Sequence, residues 1–296
     1  MNDIIATDDE QERLEDFLDD LRSHGRQERT LRAYEYDWRH FAAWYDDTHG
    51  QPFTLRDLEP AHVESYLAWC REHEGHKPST LNRRLTVIKH YAAWAEERNI
   101  IDHQRRMAIK HIPMRKRRPR VPHALTPEET DHLLDVVDQR ANTRDKAIIY
   151  TLVFGGLRVG ELVSLWPQDV AFSRGGDATI TVREAVAISG LERHIPLPPT
   201  ASRRLGDYLT QRRRKAPGAA ELFVGRQGSL TIERVGAIVR AYANWARLDG
   251  VTPHVLRHTF AYTFLADNGQ DLVALAEILG HTNLSTTRAY QRLFDS

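Results

Sequence analysis

Cysteine is the rarest residue of this 296-residue chain, where it occurs once, as Cys70. A single cysteine excludes an internal disulfide and any metal cluster built on several thiolates. In the segment AHVESYLAWC, Cys70 falls on the apolar side of a helical pattern, which predicts a buried structural thiol. This cysteine usage fits a reducing compartment, and we expect a cytoplasmic protein.

Long apolar runs are missing too. No run approaches the ~18 residues that a membrane-spanning helix needs, and the N-terminus is acidic rather than signal-like, so we expect no membrane association.

The sequence contains no GxxxxGKS or GxxxxGKT phosphate loop and no acidic cluster of the kind that holds Mg²⁺. We therefore predict chemistry without a cofactor and without a metal ion. The chain is 41% hydrophobic and 28% charged, and its length favours about two globular domains.

The net charge is zero, because 41 basic residues balance 41 acidic ones. These charges are nevertheless segregated along the chain. The first twenty residues hold nine acidic side chains and one arginine, whereas residues 105–120 hold eight basic side chains and no acidic one. Such a basic run is more often merely solvated, but its place between two patterned regions predicts a linker that follows a nucleic-acid backbone.

Amphipathic helical patterns follow one another through the first hundred residues. They cover residues 14–21, 30–45, 60–70 and 79–95. We predict a compact helical domain over residues 1–110, a basic linker over residues 111–123 and a second domain over residues 124–296.

Outward side chains at the start of two of these helices have the chemistry of phosphate contacts. Helix N-termini that carry Ser, Thr and Arg bind phosphate, and helices of this width enter the major groove. Without further support, a solvated face is the more common interpretation. The predicted DNA contacts of the helices and linker are Arg29, Thr30, Arg32, Lys77, Ser79, Asn82, Arg83, Lys89, Arg115, Lys116, Arg117 and Arg118.

Residues 252–290 carry the most informative pattern of the chain. Thr252 and Pro253 are a helix start, with a capping Thr and a Pro at the first helical position. His254 and Arg257 are three residues apart and share one face of that helix, and His258 comes one residue later.

A second short helix is predicted over residues 272–279, and Gly280 ends it. His281 follows directly and is held at the helix end. Ser285 is the expected cap of a third helix that carries Tyr290. Each residue alone has a structural interpretation, such as a cap or packing. Together, an arginine and imidazoles grip a phosphodiester while a phenol attacks it.

The order HVLRH, then LGH, then a tyrosine nine residues after that histidine resembles the C-terminal signature of the tyrosine recombinases, the phage-integrase family. A second segment, TRDKAIIYTLVFGGLRVGELVSL at residues 143–165, resembles the family's first-arginine motif. There Arg158 matches the first catalytic arginine and Glu161 matches the acidic residue after it. The motifs lie about a hundred residues apart in the family's order, and the resemblance covers essentially the whole chain.

The resemblance implies a mainly α fold with a small antiparallel β-sheet, in which an N-terminal helical core-binding, SAM-like domain precedes the catalytic domain. It implies that Tyr290 cuts DNA through a 3′-phosphotyrosyl intermediate, for integration, excision or resolution. Arg158, Arg257 and His281 then stabilise the phosphate charge, and His254 transfers protons. Glu161 shares a helical face with Arg158 and either supports catalysis by orienting that guanidinium or forms a simple intrahelical ion pair with it. The implied partners are double-stranded DNA at specific sites and further copies in a tetramer on DNA, with a paired recombinase or accessory proteins as additions.

Residues 177–197 alternate as two strands and resemble the family's β-hairpin, whose tip carries a catalytic lysine. Ile188 stands at that position here, and no lysine occurs between Lys146 and Lys215. Arg193 is the nearest basic residue, but a guanidinium that stays protonated is a poor proton donor. We predict a structural or phosphate-contact role for Arg193 and count it among the DNA contacts.

Three other functions are compatible with parts of the pattern. Ile188 suggests an accessory recombinase that binds DNA with impaired catalysis, and it predicts specific binding without a covalent adduct. A type IB topoisomerase shares the chemistry and would relax DNA without strand exchange. A plain helical scaffold would show no salt-sensitive DNA binding.

Overall fold

The computed structural model describes residues 8–116, 122–187, 189–215, 218–225, 228–291 and 294. The chain forms two compact units, Met1–Pro119 and Arg120–Ser296. Both are mainly helical, and the second adds short antiparallel strands, which confirms the predicted fold class. The predictions that concern Arg117, Arg118 and Ile188 lie outside the described residues.

The described part of the first unit consists of helices and connecting turns. Its α-helices are α1 Asp8–Ser23, α2 Glu28–His49, α3 Pro60–Glu72, α4 Pro78–Glu97 and α5 His103–His111. Both Pro60 and Pro78 occupy the first helical turn, where the missing N–H costs no hydrogen bond. Aromatic rings fill the core, and Phe41, Tyr66 and Tyr91 are each 0% exposed. Burial of such rings is the main source of stability for a domain of this size.

Helix α5 contains the first part of the basic run and ends at His111, where the predicted linker of residues 111–123 begins. The carboxylate of Asp102 caps it by accepting a hydrogen bond from the Arg105 backbone N–H at 2.8 Å. Ile109 is fully buried in the first unit's core. A cap and one apolar anchor are therefore enough to fold residues that are mostly basic.

The second unit contains the remaining elements. Its helices are α6 Pro127–Arg140, α7 Thr143–Gly155, α8 Val159–Val163, α9 Pro199–Lys215, α10 Ile232–Trp245, α11 Pro253–Asp267, α12 Leu272–Leu279 and α13 Leu284–Arg288. Its strands are β1 Val170–Phe172, β2 Ala178–Val182, β3 Arg193–Pro196, β4 Val224–Gly225 and β5 Gly228–Ser229. Helix α6 begins with a capping box, in which the side chains of Thr126 and Glu129 each accept a hydrogen bond from the other residue's backbone N–H.

The three-stranded sheet forms one side of the site, because its strand β3 carries Arg193. Strands β1, β2 and β3 are antiparallel in that order, and Val182 is paired with Arg193 at the end of the hairpin next to the connecting loop. Residues along β3 alternate between buried and exposed, so Arg193 and Ile195 both face inward. The hairpin was predicted, whereas β1, β4 and β5 were not, because runs of two or three residues give no readable alternation.

Helix α7 forms the centre of the second unit's core and packs against α9 and α11. Nearly all of its residues are buried, including Ile148 and Leu152 at 0% exposure. Within the described ranges, no helix combines the length and the apolar character required to cross a membrane.

Candidate active site

The C-terminal end of α12 is the point on which the site is built. As predicted, the helix stops at Gly280, whose φ of 64° is left-handed. The last carbonyls of a helix lack internal partners and carry the negative end of the helix dipole. Arg158 Nη1 and Arg257 Nη2 both donate to the Leu279 carbonyl, at 3.2 and 2.8 Å. Two guanidiniums distant in sequence thereby converge on one atom.

Glu161 holds the arginines from the other side and is 2% exposed. One of its oxygens accepts the Arg158 backbone N–H at 2.8 Å, and both oxygens pair with the Arg193 guanidinium at 3.0 and 2.7 Å. Arg257 Nη1 lies 3.9 Å away. Burial opposes ionisation of this carboxyl, but the hydrogen bonds and charge of Arg193 outweigh it, so the Glu161 pKa is lowered. Three cations around one anion leave an excess of positive charge that suits a phosphodiester.

Arg193 is not placed as a DNA contact. Its side chain is only 7% exposed, and besides Glu161 it donates from Nε to the Ile278 carbonyl at 2.8 Å. The reason is its inward position on β3. It is equally unavailable as a substitute for the missing lysine, because its polar atoms are committed inside the second unit.

Arg257 is almost completely enclosed, at 2% exposure. Its Nη1 donates to the Gly156 carbonyl at 2.7 Å. Gly156 itself has a φ of 58°, and a Cβ there would overlap the Phe260 ring, so this turn requires glycine. Burial and the nearby Arg158 charge lower the Arg257 pKa to about 10, which still leaves the guanidinium charged at neutral pH.

His281 is held as a neutral ring. Its Nε2 accepts from Arg257 Nη2 at 3.1 Å, so the ring proton lies on Nδ1 and donates to Thr287 Oγ1 at 2.9 Å. Burial, followed by the charges of Arg257 and Arg158, lowers its pKa to about 4. His281 is thus fixed at both nitrogens beside the two predicted arginines.

Tyr290 lies against this group and is 4% exposed. Its ring is parallel to that of His281, with centroids 6.4 Å apart. Burial raises the pKa of its phenol, against the opposing effect of Arg257 and Arg158. The structure therefore brings Tyr290 together with Arg158, Arg257 and His281.

The connection to Tyr290 differs from the prediction in two details. Asn283, not Ser285, caps α13, because the Asn283 side chain accepts the Ser285 backbone N–H at 2.8 Å. The helix ends at Arg288, so Tyr290 follows it instead of lying on it. An asparagine two residues upstream offers a better-placed acceptor than the serine hydroxyl.

Two histidines of α11 occupy the outer side of the site. His254, a predicted catalytic residue, is exposed, and its ring centroid lies 4.2 Å from that of His258. Partial burial and the Arg257 charge lower the His254 pKa. His258, to which we gave no role, is hydrogen-bonded to Tyr290, with Nδ1 at 2.9 Å from the tyrosine hydroxyl oxygen. The spacing of four residues between the histidines was the available signal for this shared face.

The predicted DNA contacts of the first unit divide into two groups. Ser79, Asn82 and Arg83 line one open polar groove together with Thr80 and Thr86. The side chains that lie exposed on the surface are Arg29, Arg32, Lys77, Arg83, Arg115 and Lys116, with Thr30 and Ser79 half-buried.

Arg83, although exposed, pairs with the buried Asp37 carboxylate at 2.6 Å. Two further predicted DNA contacts, Asn82 and Lys89, also have structural bonds. Asn82 brackets the main chain of Arg115, donating to its carbonyl at 3.0 Å and accepting its N–H at 2.7 Å. Lys89 Nζ donates to the Ile112 carbonyl at 2.6 Å. Asn82 and Lys89 hold the segment that follows α5. The backbone groups of this segment lie beyond the helix and need hydrogen-bond partners outside it.

A group with metal-ligand chemistry lies elsewhere in the first unit and was not anticipated. His40, Cys70 and Glu74 bring one donor atom each within 4.8 Å of one another. Arg84 Nη1 fills the space between them, at 2.9 Å from Cys70 Sγ, 3.0 Å from His40 Nδ1 and 3.2 Å from Glu74 Oε2. A guanidinium therefore takes the place that a bound cation would need.

Both parts of the chain match known protein families. Residues 123–296 match the Phage integrase family, and residues 14–99 match the phage integrase N-terminal SAM-like domain. The chain is 32% identical over 268 residues to the tyrosine recombinase XerD of Ralstonia nicotianae, covering 88% of this chain and 82% of the relative. It is 32% identical over 294 residues to the tyrosine recombinase XerC of Corynebacterium efficiens, covering 96% and 89%.

Solved structures share the fold. The XerH site-specific recombinase bound to difH substrate, in its pre-cleavage complex, aligns with a TM-score of 0.73 at 22% identity, covering 90% of this chain and 78% of that chain. A lambda integrase dimer bound to a COC′ core site aligns with a TM-score of 0.70 at 16% identity, covering 93% and 96%. The chain belongs to the phage integrase family, the tyrosine recombinases.

Proposed function

We propose that Tyr290 is the nucleophile with which this site-specific DNA recombinase cuts and rejoins its substrate. Its hydroxyl attacks a DNA phosphodiester, which gives a 3′-phosphotyrosyl bond and a free 5′-hydroxyl. The bond energy is kept in the protein–DNA linkage, so the strand is rejoined when a 5′-hydroxyl attacks the same phosphorus.

The convergence of Arg158 and Arg257 on the Leu279 carbonyl, beside the Tyr290 ring, is the observation that carries this proposal. Charge develops on the phosphate oxygens as the phenol attacks, and fixed guanidiniums stabilise it most where water is excluded. Because the arginines are already held by Glu161 and α12, little reorganisation is needed when DNA binds. His281 lies beside these two arginines and adds a polar side chain that is held in place at both ring nitrogens.

His254 is proposed for proton transfer to the leaving 5′-oxygen. It lies exposed at the outer edge of the site, where a DNA strand has access. Arg193 does not compete for this role, because its guanidinium is paired with Glu161 in the interior. General acid–base assistance of this kind contributes about 10²–10⁴-fold to a rate.

DNA is the proposed partner of both units. The exposed basic side chains of the first unit, chiefly Arg29, Arg32 and Lys77, bind phosphates, and residues 111–123 link the two domains along the duplex. Family membership and the DNA-bound relatives support assembly of several copies on DNA, and we propose a tetramer on two sites in the cytoplasm. Movement of a mobile element, and help from a paired recombinase or accessory proteins, belong to this proposal.

Covalent trapping tests the proposed nucleophile. A binding site is first selected from random duplexes by the full chain, and the selected duplex is nicked at successive positions so that cleavage releases a short strand. We expect a denaturant-resistant adduct with the wild type and none with Tyr290→Phe. Tyr262→Phe is the matched control, because Tyr262 lies in the same unit and stacks on Phe294 at 5.0 Å; it should form the adduct.

Each contrary result identifies a different function. Specific binding without an adduct would favour the accessory recombinase with impaired catalysis. An adduct accompanied by relaxation of supercoiled DNA, but by no strand exchange, would favour a topoisomerase. An adduct that persists in Tyr290→Phe would remove Tyr290 from its proposed role.

A further inference from the structure

The hydroxyl of Tyr290 already has a hydrogen-bond acceptor in the free protein. Its oxygen lies 2.9 Å from Nδ1 of His258, and the two rings meet edge to face with centroids 5.3 Å apart. None of the roles proposed above uses His258. We propose that His258 is the general base that takes the phenolic proton of Tyr290 during DNA cleavage; this rests on the proposed function of Tyr290.

The chemistry of the two groups favours one direction of the hydrogen bond. A phenol hydroxyl is a good donor, and an unprotonated imidazole nitrogen is a stronger acceptor than a phenol oxygen. We therefore assign the phenol as the donor and place the proton of the neutral His258 ring on Nε2. The groups that face His258 are His254, Arg257, His123, His281 and Tyr290. Burial and the first four of these lower its pKa to about 4, so Nδ1 is free to accept at neutral pH.

A buried phenol needs such a base. Burial raises the Tyr290 pKa, which makes a free phenolate costly before attack. The incoming phosphodiester brings negative charge beside the histidines, and a nearby anion raises a histidine pKa. The proton is therefore best transferred as the new bond forms, when the base gains strength and the phenol oxygen loses electron density.

The proposed step conserves atoms and charge. Tyr290 Oη forms a bond to phosphorus, the bond from phosphorus to the 5′-oxygen breaks, and the phenolic proton moves to His258 Nδ1. The leaving 5′-oxygen takes a proton from water through His254, and His258 later returns its proton to the hydroxide left behind. Rejoining is the reverse: water reprotonates His258 and leaves hydroxide, the 5′-hydroxyl attacks phosphorus and passes its proton through His254 to that hydroxide, and His258 gives its proton to the tyrosine oxygen as the bond from phosphorus to Tyr290 Oη breaks.

Two substitutions separate proton acceptance from simple contact. His258→Ala removes the acceptor, whereas His258→Asn keeps an oxygen close to the Nδ1 position that accepts a hydrogen bond but is not basic. His254→Ala is the comparison variant, because its ring lies 4.2 Å away on the same helix face. The full chain is tested on the selected nicked duplex, made either with the normal 5′-oxygen or with sulfur bridging at that position.

The readout is the single-turnover rate of adduct formation with DNA at saturation. We expect both His258 variants to be about 10²–10⁴-fold slower than the wild type, with DNA binding unchanged. Sulfur is a better leaving group that needs no protonation, so it should restore His254→Ala. It should not restore either His258 variant, because the phenol still lacks its base.

Several outcomes would overturn the assignment. They are a His258→Ala rate within threefold of the wild type, full restoration of that variant by sulfur, or a His258→Asn rate equal to the wild type. The last result would reduce His258 to a positioning residue. If His258→Ala fails to fold, His258→Asn decides. Failure of the proposed function is distinguishable, since the wild type would then form no adduct or Tyr290→Phe would still form one.

Discussion

At the scale of single residues, Glu161 organises the catalytic group. Its carboxylate contacts Arg158, Arg193 and Arg257, which come from a helix start, a strand and a distant helix. A carboxylate at 2% exposure is costly to bury and is retained only when its lone pairs are filled. Because Glu161 holds all three arginines, we expect a substitution that destabilises this buried group also to displace the arginines of the proposed phosphate site.

Arg193→Leu tests this coupling. The substitution leaves Glu161 buried without its two-pronged partner, and loss of one member of a buried ion pair costs about 3–5 kcal/mol. We expect the free energy of unfolding in urea to fall by that amount, with slower adduct formation. Arg174→Leu, at an exposed arginine of the same unit, should change stability by less than about 0.5 kcal/mol. Equal effects of the two substitutions would contradict the role of Glu161.

The half-buried ring of His281 predicts a dependence of stability on pH. Burial and adjacent cations lower the pKa of His281 from 6.5 to about 4. Below pH 6.5 the unfolded chain binds a proton that the folded protein refuses until about pH 4, so stability falls as pH falls through this window.

We expect His281 to contribute about 1–2 kcal/mol to this loss, allowing for solvent screening. Urea unfolding between pH 7.5 and pH 4 measures it. His281→Asn should flatten the curve, whereas His194→Asn, at a side chain that is 64% exposed, should not. A curve unchanged in His281→Asn would show that the ring is not buried as described.

At the scale of elements, the turn after α7 delivers Arg158 and supplies a carbonyl to Arg257. Gly156→Ala places a Cβ in a left-handed turn and against the Phe260 ring. Gly176→Ala meets only the first problem, since its φ is 89° but no atom lies within 4 Å. We expect a loss of about 1 kcal/mol in unfolding free energy at Gly176 and about 3 kcal/mol at Gly156. Similar losses at both positions would show that the Phe260 ring moves to accept the added Cβ and does not restrict residue 156 to glycine.

Local signals explain which elements the sequence predicts well. The helix start at Thr252 and the helix stop at Gly280 depend on neighbouring residues only, and both occur as predicted. The burial of Arg193 depends on the pairing of β3 with β2. The contact of His258 with Tyr290 depends on α12 and α13 folding back over α11. Such long-range packing leaves no periodic trace in the sequence.

At the scale of the whole molecule, a net charge of zero is compatible with the proposed binding of DNA, because local basic groups are separated from the acidic ones along the chain. Each phosphate contact releases condensed counterions, so affinity falls steeply with salt. We expect Arg32→Ala and Lys77→Ala each to reduce the slope of log affinity against log salt by about 1. Arg71→Ala, at a side chain that is 51% exposed and beside Glu72, is the control and should leave the slope unchanged. Unchanged slopes in all three variants would place the DNA elsewhere.

The most direct test of the central claim is to locate the covalent bond. The adduct trapped on the nicked duplex is digested with nuclease and protease, and the peptide that carries the nucleotide remnant is identified by mass spectrometry. We expect a 3′-phosphate remnant on Tyr290 and a released strand with a free 5′-hydroxyl that a polynucleotide kinase labels directly. A remnant on Tyr262 or another residue, or a 5′-linked remnant, would contradict the proposed chemistry.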